Sequence, residues 1–240
     1  MKCDFHTHIL PSIDDGPDDP RESIEMLRKL QKDGVGLVAA TPHFDASIFS
    51  VERFAERRAR ALEKVTAAAE DEPLPQIVLG AEVRLGPGVW ELPDLKPLCL
   101  AGTDYILLEL PFAELGASFT RNLYNLTVTH GVYPILAHIE RYLPYLDYSD
   151  IGSLISLGAL CQINLGALLS FSERRKVSHL IYGGMAHLLG TDAHDMTRRP
   201  PRFAEASDVI RRKYGPRVLE RFDENAQKVL ENRHVQEILG

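Results

Sequence analysis

The sequence predicts an α/β protein in which parallel strands alternate with helices. Short apolar runs, rich in Val, Ile and Leu, recur along the chain between helical or turn-rich stretches. Near-continuous hydrophobicity, rather than strict alternation, is typical of parallel strands that are covered on both faces. The length of 240 residues also fits one large α/β barrel domain, which commonly has about 200 to 250 residues.

Seven apolar runs are candidate strands. In chain order they are Lys2 to His6, Val35 to Thr41, Ile77 to Val83, Tyr105 to Leu110, Tyr133 to Ile139, Leu160 to Leu165 and His187 to Asp192. The stretch from Leu85 to Leu98 contains three prolines and predicts a long loop. No repeat, low-complexity linker or break in composition divides the sequence, so we expect a single domain over residues 1–240.

Helices are predicted from their caps and from apolar residues that recur every three or four positions. Asp19 and Pro20 indicate an N-cap and a first-turn proline, and Glu22 stands where a capping box requires an acid. Gly34 ends that helix. The other predicted helices are Ser50 to Glu70, Ser118 to Thr129, Ser149 to Leu157, Ser172 to Tyr182, Arg202 to Lys213 and Pro216 to Glu231. The alternation of strands and helices favours a sheet built from repeated βα units.

Composition and charge exclude several classes of partner. A net charge of -7 and a pI near 5.7 lack the basic footprint of a nucleic-acid-binding protein. No run approaches the roughly 18 apolar residues of a membrane helix, so we expect no membrane insertion. Cys3, Cys99 and Cys161 are widely spaced and form no C-x-x-C pair. We therefore expect free thiols and a cytoplasmic location.

Residues of the types that bind metals stand at the carboxyl ends of six of the seven predicted strands. They are His6 and His8, His43, Glu82, Glu109, His138, and Asp192 with His194. Parallel barrels place their active sites at these ends. A lone histidine there would be a hydrogen-bonded structural residue. Burying so many ionisable groups together, however, costs on the order of several kcal/mol for each charge that is not compensated. Metal ions are the natural compensation.

Two short segments near the N-terminus are ambiguous when taken alone. The two-residue spacing of His6 and His8 places both imidazoles on one side of an extended chain, although H-x-H is a weak signal. The segment Asp14-Asp15-Gly16 forms either part of a metal site or a simple turn, because aspartate caps turns and glycine accepts a positive φ.

Seven motifs from His6 to Pro200 occur in an order that resembles a known family. They are HTHILPSIDDG, TPH, GAE, LLE, AHIERY, QIN and TDAH…RP. They resemble the capsule and exopolysaccharide protein-tyrosine phosphatase branch of the PHP (polymerase and histidinol phosphatase) superfamily. This resemblance implies a distorted (β/α)7, TIM-like barrel with three divalent metals in its C-terminal mouth, commonly manganese or iron, with zinc also accepted. It also implies a phosphotyrosine protein substrate, namely a bacterial tyrosine kinase with a tyrosine-rich tail.

The resemblance further implies which residues hold each metal. The first ion would be held by His6, His8, Glu82 and Asp192. The second would share Glu82 and add Glu109 and His138. The third would be held by Asp15, His43 and His194.

Two arginines follow the expected metal ligands closely. Arg141 comes three residues after His138, and Arg199 comes five residues after His194. Because a guanidinium fork matches phosphoryl oxygens, we interpret both as catalytic residues that bind the substrate phosphate. The alternative is a surface position or a structural ion pair. Glu140 is expected to support a ligand or pair with an arginine rather than bind a metal.

Other enzyme classes remain open at this stage. Ile139 stands where relatives of this branch often have proline, which could alter substrate preference. The alternatives are a small-molecule phosphatase of the histidinol phosphatase type, an amidohydrolase-type metal hydrolase, and a non-catalytic metal-stabilised regulator. A cysteine-dependent tyrosine phosphatase is disfavoured, because none of the three cysteines begins a C-x5-R motif.

Overall fold

Parallel strands form the centre of the structure, a computed structural model that describes residues 1–70 and 72–240. The strands are β1 (Lys2–Thr7), β2 (Val35–Ala40), β3 (His43–Phe44), β4 (Gln76–Leu79), β5 (Glu82–Arg84), β6 (Tyr105–Glu109), β7 (Tyr133–Leu136), β8 (Leu160–Asn164) and β9 (Leu188–Gly190). The helices are α1 (Pro20–Lys32), α2 (Val51–Ala68), α3 (Ala117–His130), α4 (Tyr148–Ser156), α5 (Leu165–Leu169), α6 (Phe171–Tyr182), α7 (Phe203–Tyr214), α8 (Pro216–Leu230) and α9 (Gln236–Leu239).

The strands form a curled parallel sheet in two hydrogen-bonded parts. One part has the order β1-β2-β4, and the other has the order β3-β5-β6-β7-β8-β9. The parts meet where Asp192 donates its backbone N–H to the His6 carbonyl at 2.8 Å, next to a parallel bridge between Thr7 and Ala193. The result is a mixed α/β fold, which confirms the predicted class.

Two predicted strands are each interrupted in the structure. The run from Val35 to Thr41 stops at Ala40 and resumes at His43, because Pro42 has no N–H to donate to the ladder. The run from Ile77 to Val83 is broken at Gly80, whose carbonyl accepts a hydrogen bond from Arg58 Nη1 of α2 at 2.5 Å. The strands that resume after these interruptions begin with His43 and Glu82, two residues of the site described below.

The sheet is buried on both faces, which explains the continuous apolar runs. Alternate strand residues enter one inner cluster, which includes Phe5, Leu37, Leu107 and Ile135. The residues between them, including Val38, Ile106, Leu108 and Leu136, pack with the helices in a second cluster. This division follows from the two-residue period of a strand. Within the described residues, no helix combines the length and hydropathy needed to cross a membrane.

Some local predictions are confirmed and others are wrong. The Asp19 side chain caps α1 by accepting the Arg21 N–H at 2.8 Å, as predicted. Glu22 does not complete a capping box, because its carboxylate instead accepts the distant Met196 N–H at 3.1 Å. Short helices α5 and α9 were not predicted. The expected loop from Leu85 to Leu98 contains two 3₁₀ turns, at Pro87–Glu91 and Lys96–Leu98.

A buried aspartate joins β1 to the segment that follows β9. Asp4 is inaccessible to solvent, and its carboxylate accepts the Thr191 N–H at 2.8 Å and the Thr191 hydroxyl at 2.6 Å. Asp4 also accepts the His6 N–H at 3.3 Å. The contact therefore fixes both edges of the sheet where the two parts meet.

We predict that Asp4→Ala lowers the free energy of unfolding by about 1 to 3 kcal/mol, because it leaves two buried donors of Thr191 unpaired. Asp4→Asn retains an acceptor oxygen and should lose less. Urea unfolding of the metal-free protein, monitored by circular dichroism, measures both changes. An Asp4→Ala protein as stable as the native one would contradict this account of the junction.

Candidate metal centre

The structure brings together all nine side chains that the sequence singled out as metal ligands. They form four overlapping groups, and within each group the ligand atoms lie within 4.8 Å of one another. The groups are His8, Asp15, His43 and His194; His6, His8 and Asp192; His6, Glu82 and His138; and His43, Glu82 and Glu109. The ligands expected for the second ion are thus divided between two groups, because Glu82 lies with His138 in one and with Glu109 in the other.

His6 of β1 and His8, which follows the strand, point their Nε2 atoms at the same place. Both are fully buried, and their Nε2 atoms are 3.1 Å apart. His6 Nδ1 lies 3.2 Å from Gln162 Oε1, and His8 Nδ1 lies 2.7 Å from Asp14 Oδ2. Since each Nδ1 faces an oxygen acceptor, the neutral rings carry their proton there and leave both Nε2 lone pairs free. Two facing lone pairs are stabilised by a shared cation.

Glu82 lies at the centre of the cluster and is almost completely buried. Its Oε1 is 2.8 Å from His138 Nε2, and its Oε2 is 3.0 Å from His43 Nδ1. Oε2 is also 3.2 Å from His6 Nε2 and 3.3 Å from His8 Nε2. Although burial opposes its charge, His6 and the hydrogen bonds of neighbouring histidines hold the pKa of Glu82 well below its usual value. One ionised carboxylate therefore faces four imidazoles.

Several buried polar atoms in this cluster have no hydrogen-bond partner among residues 1–70 and 72–240. They are Glu82 Oε2, His43 Nδ1, His138 Nδ1 and His194 Nε2. The first two are only 3.0 Å apart, but their angles do not form a hydrogen bond. Buried polar atoms are normally paired. Lone pairs that converge without a proton between them fit a bound cation, so these residues are suited to hold metal ions.

The ambiguous segment after β1 is both a turn and part of the cluster. Asp14 accepts the Gly16 N–H at 3.0 Å and holds His8, whereas Asp15 Oδ1 lies 3.2 Å from His194 Nε2 and 3.5 Å from His43 Nε2. A Cβ atom on Gly16 would lie 2.2 Å from the His8 carbonyl oxygen, so only glycine fits there. The turn therefore places Asp14 against the His8 ring and Asp15 near His43 and His194.

The surroundings favour the neutral form of His194 and His138 and the charged form of His8. Burial and the positive charges of His8 and Arg199 lower the pKa of His194 to about 4. Burial likewise lowers the pKa of His138. Against burial, the carboxylates of Asp14 and Glu82 raise the pKa of His8 to about 10. The same carboxylate field that draws a proton to His8 draws a metal cation.

The two oxygens of Asp192 serve two different sets of partners. Oδ1 lies 3.6 Å from His6 Nε2 and 3.6 Å from His8 Nε2. Oδ2 accepts a hydrogen bond from Arg141 Nη2 at 2.6 Å and forms an ion pair with Arg199 Nη2, also at 2.6 Å. Against burial, the surrounding histidines and arginines lower the pKa of Asp192. This side chain therefore joins the histidine cluster to both arginines.

The arginines open onto a cavity beside the cluster. Arg141 and Arg199 are 37% and 38% exposed and line a cavity of about 630 Å³. Glu140, also in its wall, is buried and accepts the Asn164 N–H at 3.2 Å, and burial raises its pKa to about 7. Asn164 in turn donates to Asp192 Oδ2 at 2.9 Å. Glu140 thus supports Asp192 through Asn164, and no arginine pairs with it in the described residues.

The backbone is strained at two of these positions. His138 and Asp192 have φ values of 32° and 54°, which are uncommon for residues other than glycine. Such conformations persist where surrounding contacts enforce them, and they concentrate at functional sites. His138 leaves the β7 ladder in this way, which explains why that strand ends before the predicted Ile139.

Sequence reasoning missed the residues that hold the ligands in place. Gln162 Oε1 accepts the His138 N–H at 2.8 Å as well as facing His6, and Asn164 holds Asp192. Both lie two residues apart on β8, with apolar Ile163 between them. Two amides on one face of a buried strand were the signal that could have identified them, since buried polar side chains require partners.

The three cysteines lie away from this chemistry. All are free and buried. Burial raises the pKa of Cys3 to about 11 and that of Cys99 to about 12, and it raises the pKa of Cys161 as well. A thiol must ionise to act as a nucleophile, so these residues are unreactive in the folded protein.

Comparison with known proteins gives concordant matches. The model of the CpsB/CapC family of capsular polysaccharide synthesis matches residues 2–231. The tyrosine-protein phosphatase YwqE of Bacillus subtilis (strain 168) is 32% identical over 237 residues, which cover 97% of this chain and 92% of that protein.

Solved structures give a similar result. A chain from the crystal structures of YwqE from Bacillus subtilis and CpsB from Streptococcus pneumoniae, unique metal-dependent tyrosine phosphatases, superposes with a TM-score of 0.83 and 29% identity. That match covers 96% of this chain and 95% of the other. A histidinol phosphate phosphatase from Lactococcus lactis has a TM-score of 0.51 at 13% identity, covering 89% and 93% of the two chains, which shows similarity of fold alone.

We predict that a thiol reagent such as 5,5′-dithiobis(2-nitrobenzoic acid) does not modify the native protein at pH 8, because the thiols are buried and protonated. All three should react after unfolding in guanidinium chloride. Absorbance at 412 nm measures the number of reacted thiols. Rapid modification of a folded thiol would contradict the burial of these cysteines.

Proposed function

Since the chain belongs to the CpsB/CapC family of capsular polysaccharide synthesis, we propose that it is a metal-dependent protein-tyrosine phosphatase. The observation that carries this proposal is the joining of nine converging ligand side chains to an arginine-lined cavity through Asp192. The phosphatase names of its relatives support the same activity.

The proposed cofactor is a set of three divalent ions, with manganese the first choice and iron or zinc alternatives. The nine clustered residues would hold them, with Glu82 shared because it belongs to two of the groups. Divalent ions at such a site supply an activated water at neutral pH and neutralise phosphoryl oxygens. Four carboxylates, those of Asp15, Glu82, Glu109 and Asp192, leave a surplus of about two positive charges against three such ions, which favours an anionic substrate.

Arg141 and Arg199 are the proposed residues that bind the substrate phosphate. Each contacts Asp192 through Nη2, and each guanidinium has further N–H donors that remain available for phosphoryl oxygens. Their partial exposure in the cavity wall makes those donors accessible to a ligand. The arginines would neutralise the charge that develops on the transferred phosphoryl group.

A phosphotyrosine side chain suits this site because its phenolate leaves readily. A leaving group of low basicity needs little protonation in the transition state, so the chain needs no strong general acid. The proposed physiological partner is the tyrosine-rich tail of a bacterial tyrosine kinase that controls exopolysaccharide synthesis. The free cysteines suit a reducing compartment, and we place the enzyme in the cytoplasm.

We also infer that residues 1–240 form one domain and that the curled sheet closes into a distorted (β/α)7 barrel. If β2 with β3, and β4 with β5, are each counted as one interrupted strand, seven strands surround the inner cluster. The Asp4 contacts and the Asp192 to His6 hydrogen bond support closure between the first and last strands. The mouth of that barrel is where the ligands converge.

The proposed function predicts a substrate order and a metal requirement. With manganese present, kcat/KM for a phosphotyrosine peptide should exceed that for the matching phosphoserine peptide and for histidinol phosphate by about 100-fold or more. Removal of metal with EDTA should abolish turnover, and mass spectrometry should find up to three ions per chain. His6→Ala removes a ligand of the first ion, so it should lower the metal content and lose nearly all turnover.

His179→Ala provides the control, because His179 is an exposed imidazole on α6 outside the cluster. It should change neither metal content nor turnover. Full activity in metal-free protein would refute the metal mechanism. A preference for histidinol phosphate would instead identify a small-molecule phosphatase, and one or two ions without phosphatase activity would favour an amidohydrolase-type enzyme.

The proposed phosphate contacts make a separate prediction. Arg141→Ala or Arg199→Ala should lower kcat/KM by about 10- to 1000-fold, or about 1.4 to 4 kcal/mol of transition-state stabilisation, while metal content changes little. Lysine at either position should restore only part of the activity, because it lacks the planar fork. Steady-state kinetics with a phosphotyrosine peptide, together with metal analysis, measure both quantities. Wild-type kinetics in both alanine variants would assign these arginines to the scaffold.

A further inference from the structure

The cavity beside the metal centre has room for more than a phosphoryl group. Its volume of about 630 Å³ falls in the range of roughly 300 to 1,000 Å³ that is usual for sites holding an entire small molecule. Arg141 and Arg199 lie on Asp192 at one side of this space. Two more arginines, Arg198 and Arg202, line it as well.

The two additional arginines differ in how far their charge is neutralised. Arg202 forms an ion pair with Glu205, its neighbour one turn along α7, at 2.5 Å. In contrast, no carboxylate oxygen within residues 1–70 and 72–240 lies within 4 Å of the Arg198 guanidinium. Glu173, an acidic residue that also lines the cavity, lies 3.4 Å from Lys176. Arg198 therefore contributes positive charge to the cavity without an internal partner.

The loop that carries Arg198 is held in place by its own hydrogen bonds. Asp195 Oδ1 accepts the backbone N–H groups of Thr197 at 2.6 Å and Arg198 at 2.5 Å. The His194 N–H donates to the Arg199 carbonyl at 3.0 Å, which closes the loop onto a residue of the metal cluster. Arg198 thus projects from a backbone that is fixed relative to Arg199, and binding there would cost little ordering of the main chain.

We propose that Arg198 and the adjacent part of the cavity form a second subsite, which binds an anionic group that neighbours the phosphotyrosine in the substrate peptide. The inference rests on the proposed phosphatase activity and names the class of peptide that the enzyme prefers. The anionic group is either the carboxylate of a flanking acidic residue or the phosphate of a second phosphotyrosine, since both offer oxygen acceptors to a guanidinium fork.

An exposed aromatic residue beside the cavity agrees with a peptide substrate. Phe171 is 92% exposed at the start of α6, between the cavity-lining residues Ser170 and Glu173. An apolar side chain this exposed next to a charged cavity can pack against a neighbouring residue of an extended peptide. A small phosphorylated metabolite held by the arginines would leave it without a contact.

The test compares three peptides that differ only beside a central phosphotyrosine, where they carry glutamate, a second phosphotyrosine or glutamine. For the manganese-loaded native enzyme, kcat/KM should be about 3- to 10-fold higher for each anionic peptide than for the glutamine peptide, as charge-assisted hydrogen bonds imply. Arg198→Ala should reduce this ratio to about 1. Arg198→Glu should invert it, and 0.5 M NaCl should shrink it in the native enzyme. The kcat/KM values for the glutamate peptide and the second-phosphotyrosine peptide show which of the two anionic groups the subsite prefers.

The matched control is Arg175→Ala, which removes an exposed arginine of α6 that does not line the cavity. It should leave the ratio unchanged. Binding of the same peptides with a non-hydrolysable phosphonate in place of the central phosphate, measured by fluorescence anisotropy, reads the preference without turnover. Equal affinity for all three peptides, or an unchanged ratio in Arg198→Ala, would overturn the subsite. If p-nitrophenyl phosphate is hydrolysed in that case, the proposed phosphatase activity stands without it.

Discussion

The crowding of nitrogen and oxygen ligand atoms in one buried cluster is the constraint around which the site is arranged. His6 and His8 bring Nε2 atoms within 3.1 Å, and Glu82 adds an oxygen 3.2 to 3.3 Å from both. In a metal-free site a proton on His8, whose pKa is raised to about 10, relieves part of this repulsion, whereas buried nitrogen atoms of His43 and His194 stay without a hydrogen-bond partner among the described residues. Bound cations convert these repulsions into coordination. The proposed ions would therefore support both the stability of this edge of the sheet and its chemistry.

An outer layer of side chains keeps the repelling groups in position. Asp14 fixes the His8 ring, Gln162 contacts both His6 and the His138 backbone, and Asn164 orients Asp192. These partners come from a turn and from one buried strand, so they move little relative to the ligands they hold. Asp4 extends the layer by joining β1 to the segment that follows β9 and by accepting the His6 N–H. The rigidity of the sheet is thereby transferred to the metal cluster.

The sequence was informative wherever short-range chemistry decides the structure. The clustering of the strand-end side chains could be predicted because parallel strands bring their carboxyl ends to one edge. The cap of α1 could be predicted from Asp19 alone. The failures involve contacts between distant segments. Glu22 is drawn to Met196, and the Gly80 carbonyl to Arg58, partners that no local pattern reveals. Likewise, only the folded turn distinguishes Asp14, which positions a histidine, from the neighbouring Asp15.

Asp192 shows why ion pairing and phosphate binding are not alternatives for the two arginines. In the structure both guanidinium groups form ion pairs with its Oδ2, and that of Arg141 also donates a hydrogen bond, which holds the two arginines beside the cluster. Each uses Nη2 for this contact, and a guanidinium carries five N–H groups in a planar fork, so donors remain for a phosphoryl oxygen. The carboxylate also balances positive charge that would otherwise separate the arginines. These ion pairs would thus supply the preorganisation that the proposed phosphate binding requires.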